Sequence, residues 1–362
     1  MLDLPPFSLE HVRLLTDGRG IIQHALFSIP NRKSGYTTDD NSRALVVVTR
    51  RYGLTRDPEL VQLAALYLSF MLYTQRADGR FRNYVGYDSR YLDEEGSEDC
   101  QGRAAWALGL AASSALPESM RRSARHMFDK AAPNCYHLHS PRALAGVIRG
   151  IYQLTGGRAT GDLREKVALA AQRLSAGYQA EAGRGWQWFE GSLTYANASL
   201  PEAMFLAYLM LGDERLRVAA EKTFGFLLSV VMPEGTLLPV GTDGWYRKGG
   251  ERAAFDQQPE EAEAIVSCSR AGWVATGRAD YRKLAGQALG WFLGENVHAV
   301  ELYDPLTGAC FDGLTPEGPN QNQGAESTLA YLSAHLTLEE WDPQPAVGER
   351  DETGLQRPPG AG

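Results

Sequence analysis

Carboxylates and amides gather at a few points of this 362-residue sequence, each just ahead of an Ala- and Leu-rich stretch. The first cluster holds Tyr36, Asp39, Asp40 and Asn41, with two adjacent carboxylates at a predicted helix start, placed to bind hydroxyl groups or to transfer protons. An N-cap at Thr38 or Asp39, and an i,i+3 pair of Asp40 with Arg43, account for the same residues without catalysis. The second cluster sets Asp99 four residues before Arg103, a spacing that one ion pair on a helix face satisfies. In the third, Trp186 and Trp188 alternate ahead of Glu190, with Tyr195 and Asn197 following. The two rings are either one face of a strand packed on the core or a flat platform for a pyranose. If they exclude water, Glu190 gains the raised pKa of a general acid.

The fourth cluster, Asp256, Gln257 and Gln258, pairs a carboxylate with amides that each donate and accept, a surface suited to polyols or simply a polar helix entrance. The fifth runs through Gln323 and Gly324 to Glu326, which is expected to point from the last inner helix to the axis. Glu202 stands three residues after Ser199, the spacing of a capping box, and is assigned to capping. His137 and His139 share one short connection and suit a proton-shuttling pair, although alternating histidines there are more often structural.

The elements that must position these groups repeat. Six times a polar cluster leads into a small-residue helix, over 42–50, 101–112, 143–154, 203–211, 260–275 and 327–336. Pro141, Pro201 and Pro259 fall in first turns, where a missing N–H costs nothing. Amphipathic stretches alternate with these helices over 9–25, 58–75, 118–130, 163–178, 214–231 and 280–295, each with a solvated face. The pattern predicts an all-α toroid of six outer–inner hairpins, an (α/α)6 barrel over 1–341, followed by a disordered tail over 342–362. Links from inner to outer helices are short. Those from outer to inner, over 77–96, 180–198, 232–255 and 297–321, are long and aromatic-rich, with Gly turns that imply short β-hairpins. One end of the barrel is therefore built up, and there the six inner N-termini bring the acidic clusters together.

Bulk properties narrow the field. A net charge of −8 without a basic stripe argues against nucleic acid. No leader-like start and no long apolar run is present, so a soluble, cytoplasmic protein without membrane attachment is expected. Four scattered cysteines read as buried thiols, and no ligand spacing requires a metal or another cofactor. Nucleotide-binding, serine-hydrolase and zincin motifs are missing, which leaves carboxylate chemistry.

The runs Gly35-Tyr36-Thr37-Thr38-Asp39-Asp40-Asn41, Ser97-Glu98-Asp99, Leu200-Pro201-Glu202, Phe255-Asp256-Gln257-Gln258-Pro259 and Gly324-Ala325-Glu326-Ser327 resemble bacterial proteins of the six-hairpin glycosidase superfamily. The similar subgroup is often found beside glycosyltransferases, so functional association with one is expected. The resemblance implies a site at the loop-rich end. It supports the expectation of a glycoside hydrolase acting on an oligosaccharide or glycan; position and chemistry, not the resemblance, nominate Glu190 as acid and Asp40, Asp99, Asp256 or Glu326 as second carboxylate. Two alternatives stand beside it: a sugar epimerase or isomerase using His137 or His139, and a noncatalytic glycan-binding accessory.

Overall fold

A computed structural model of the chain describes residues 4–341. The tail expected to be disordered, 342–362, lies outside the described residues. Twelve α-helices occur among the described residues: α1 (Glu10–Leu15), α2 (Thr38–Thr55), α3 (Glu59–Thr74), α4 (Glu98–Ser113), α5 (Glu118–Ala131), α6 (Pro141–Thr155), α7 (Gly161–Glu181), α8 (Ser199–Leu211), α9 (Glu214–Val231), α10 (Pro259–Thr276), α11 (Asp280–Gly290) and α12 (Ala325–Glu339). The even-numbered helices form an inner ring in which each packs on the next and α12 returns to α2, while the odd-numbered ones lie outside. This is the expected (α/α)6 toroid.

Burial separates the two layers as the sequence periodicity requires. Every residue of α10 from Pro259 to Ser269 is buried, carboxylates included. In contrast, α5 buries only Ala124, Met127 and Phe128, a single i,i+3,i+4 stripe on an otherwise charged helix. The turns at the far end of the ring are set by Gly156, Gly212 and Gly277, each left-handed just after an inner helix.

Helices α4 and α6 approach most closely because small residues face one another. A methyl group added at Gly109 would land on the backbone of Gly150, and one at Gly146 on that of Gly102. Gly109→Ala is therefore expected to cost about 1–3 kcal/mol in urea unfolding, the usual effect of overpacking. A stability equal to that of the parent would contradict the close approach.

The long links sit at the N-terminal end of the inner ring and carry five two-stranded antiparallel pairs, as expected of short β-hairpins. Three are local hairpins: β1 (Ala25–Leu26) with β2 (Ile29–Pro30), β7 (Tyr303–Asp304) with β8 (Ala309–Cys310), and β9 (Leu314–Thr315) with β10 (Gly318–Pro319). Two join different links: β3 (Tyr36–Thr37) with β4 (Tyr84–Val85), and β5 (Ser192–Leu193) with β6 (Tyr246–Arg247). These cross-links brace neighbouring loops around the mouth of the toroid.

One element differs from expectation. The first outer helix, predicted over 9–25, stops at Leu15. The chain then turns through Asp17-Gly18-Arg19-Gly20 and runs past α2, where the Asn41 side chain fills the space a Cβ at Gly20 would need. That departure delivers residues 21–37 to the mouth.

Candidate active site

The inner N-termini open into a polar cleft of about 430 Å³. Thr37 caps α2: its hydroxyl accepts the Asp40 N–H at 2.9 Å and donates to the Asp40 carboxyl at 2.5 Å. Asp40 is buried but lines the cleft. Burial pushes its pKa up to about 7, and the neighbouring Asp39 charge adds to the shift against the pull of Thr37, Arg43 and Arg103. Beside it, Asp39 is fixed by its own N–H donating to Asn83 Oδ1 at 3.1 Å and by ion pairs to Arg43 and Arg103.

Beneath the cleft, Glu260 of α10 receives Arg43 and Arg103 from across the ring. Burial alone would raise its pKa, but the two guanidiniums outweigh that and hold it below the ordinary carboxylate range. Arg43 also reaches Glu326 at 3.1 Å. Glu326 shifts upward: desolvation dominates, Arg43 pulls the other way, and repulsion from Glu260, Asp39 and Asp40 adds to the rise. Enclosed by the cleft walls, Glu326 still leaves 46% of its side chain accessible. The cleft thus offers two carboxyl groups ready to exchange protons near neutrality, with a guanidinium against one of them. His24 stands at the rim.

A second cluster flanks the axis. Arg142 of α6 holds both oxygens of Glu190 at 2.9 and 3.1 Å, donates to Thr194 and to the Tyr195 carbonyl, and stacks on the Tyr195 ring. The Tyr195 hydroxyl donates to Asp99 at 2.5 Å, and Ser140 donates to the same carboxylate. Glu190 is therefore not an acid standing free among aromatics: in this arrangement both its oxygens accept from Arg142. Trp186 and Trp188 are buried, packed on Phe226 of α9, so the alternation reads as core and offers no stacking platform.

Several other nominated residues serve the scaffold. Tyr36 is buried with its hydroxyl on Asp17. Asn41 bonds Ile21 and Thr37 backbone, and Asn197 bonds Thr194 and Glu261. Gln257 accepts from Trp291 and donates to Ala254, and Gln323 is buried with its carbonyl on His11. Asp256 does not line the cleft; the helix turn carries Glu260 to the axis in its place, while Gln258 does line the cleft. The Ser199–Glu202 capping box does not form, because Ser199 donates to Ala196 and Glu202 turns inward to Arg149 at 3.2 Å. Arg103 pairs with Asp39 and Glu260 rather than Asp99. His137 and His139 are exposed and line no part of the cleft.

Buried carboxyls give the fold a pH signature. Burial raises Glu202 and Glu261 from 4.5 to about 7, with Arg149 and Asn197, respectively, pulling the other way. The folded state then keeps protons that the unfolded chain has released, so stability falls as pH rises from about 4.5 to 7 and levels off above. A higher thermal midpoint at pH 5 than at pH 7.5 is expected, with a flatter profile for Glu202→Gln. A midpoint that rises across this window would refute the shifts.

No family model matches the sequence, and no curated protein matches it. Solved structures do. A cellobiose 2-epimerase from Bacillus thermoamylovorans superposes with a TM-score of 0.71 at 11% identity, covering 92% of this chain and 95% of that one. A D-mannose isomerase gives 0.68 at 9%, covering 91% and 96%. A GH76A α-1,6-mannanase from Salegentibacter gives 0.60 at 10%, also covering 91% and 96%. The chain therefore shares the (α/α)6 fold of these structures.

Proposed function

We propose that this protein is a sugar epimerase or aldose–ketose isomerase that moves a proton at the carbon next to an open-chain carbonyl. The observation that carries the reading is the pair of carboxyls, Asp40 and Glu326, in one cleft, both shifted upward and so able to be one ionised and one protonated at neutral pH. In this reading Glu326, the more open of the two, takes the C2 proton as a carboxylate. The electron pair left behind forms the C1–C2 double bond of an enediolate, and Arg43 offsets the charge developing on the oxygen. Asp40 returns a proton to C2 for the epimer, as the C1 carbonyl re-forms, or to C1 for the ketose, as the O2 hydroxyl proton passes to O1 and the C2 carbonyl forms; His24 lies at the rim. His137 and His139 have no part in it.

Glycoside hydrolysis is the second reading, favoured by the same two carboxyls, which are also the equipment of a glycosidase. The clamp of Arg142 on Glu190 weighs against the hydrolase as first expected. A panel of mono- and disaccharides, scored by mass and anomeric NMR, separates the two. Epimers or ketoses of unchanged mass are expected. Release of new reducing ends with gain of water would select hydrolysis.

A further inference from the structure

The toroid is hollow at both ends. Opposite the cleft, where the six inner helices finish and the links are short, lies a second cavity of about 460 Å³, within the range of small-molecule sites. Its wall is apolar through Trp106, Leu206 and Val274 and charged through arginines from α2, α6 and α10. The helix C-termini gathered there favour such cations. Most of this charge is already satisfied. Arg50 spends its donors on Ser333, Thr337 and Glu340, and Arg149 lies between Glu202 and the face of Trp106.

What remains is specific. On three lining side chains from three helices, Arg270 Nη1, Glu202 Oε2 and Thr49 Oγ1 have no hydrogen-bond partner. A buried polar atom left in that state is costly, and a ligand entering the adjoining cavity can supply the missing group. Arg270 can only donate, so it calls for an acceptor-rich, anionic head. Its guanidinium is already positioned, lying over both Trp273 and Trp341. The free oxygen of Glu202 calls for a hydroxyl.

We propose that this cavity is a second binding site, separate from the cleft, for a hydroxylated organic anion of about monosaccharide size, its anionic group on Arg270 and a hydroxyl on Glu202. The inference does not rest on the proposed reaction, because it is read by binding alone. A sugar phosphate and a sugar acid share the required chemistry, and the test distinguishes them.

Isothermal titration of the full chain with glucose 6-phosphate, glucuronate and uncharged glucose provides that test. At least one anionic sugar is expected to bind at the cavity and glucose is not, with the preferred anion identifying the head group. Arg270→Gln removes the donor, and Val274→Trp fills the mouth without altering charge. Each is expected to weaken binding at least tenfold, whereas Asp40→Asn in the cleft leaves it unchanged. Absence of binding by both anions, or weakening by Asp40→Asn with Arg270→Gln and Val274→Trp both neutral, would overturn the proposal.

Discussion

Glu326→Gln is expected to cut turnover by roughly 10²–10⁴-fold on the sugar that the product panel identifies, the range typical of losing a positioned acid–base group. Gln keeps the shape and a contact to Arg43 but neither loses nor gains a proton. The loss should fall on kcat, with KM little changed, because Glu326 is assigned to the chemical step. Its position makes the result diagnostic. It is the open carboxyl of the cleft, while Glu260, beneath it, takes the charge of Arg43 and Arg103. If Glu326→Gln turns over at the parent rate, proton transfer does not run through this carboxyl.

Arg43→Met is expected to produce the largest loss of stability, up to about 3–5 kcal/mol in urea unfolding, because it leaves buried Glu260 with Arg103 alone and removes a partner of Asp39. The geometry explains why one residue matters so much: Arg43 joins α2 to α10 and α12 through Glu260 and Glu326, binding three of the six inner helices at the axis. Adding Glu260→Gln to the variant removes the under-compensated charge and should recover part of the loss. A cost below about 1 kcal/mol for Arg43→Met would show that the axial network does not hold the ring together.

The fold was legible because its signals are local. Caps, first-turn prolines and the contrast between all-apolar and one-faced helices are written within single segments, and link lengths gave the polarity of the toroid. Asp39, Asp40, Gln258 and Glu326 could be placed near the mouth for the same reason, as residues at inner-helix starts. Partner choice was not legible. Local spacing paired Arg43 with Asp40 and Arg103 with Asp99, yet both guanidiniums reach across the ring to Glu260, which is 217 residues from Arg43. Side-chain direction was equally hidden: Trp186 and Trp188 have the composition of a sugar platform but face the core. His24 went unnoticed because its segment was read as helix, whereas the glycine turn after Leu15 brings it to the rim. Glu202 shows the same limit, since a capping spacing cannot reveal that Arg149 waits on the axis.

The central claim is that Asp40 and Glu326 exchange a proton at a sugar carbon adjacent to the carbonyl. The most direct measurement is proton NMR of D-mannose, cellobiose and the panel's other reducing sugars, incubated with the protein in deuterated water. The account predicts that deuterium enters at C2 of an epimer or at C1 of a ketose formed from the accepted sugar, and that Glu326→Gln abolishes the exchange. Conversion to an epimer with no deuterium at C2 or to a ketose with none at C1, or deuterium entry undiminished in Glu326→Gln, would contradict it.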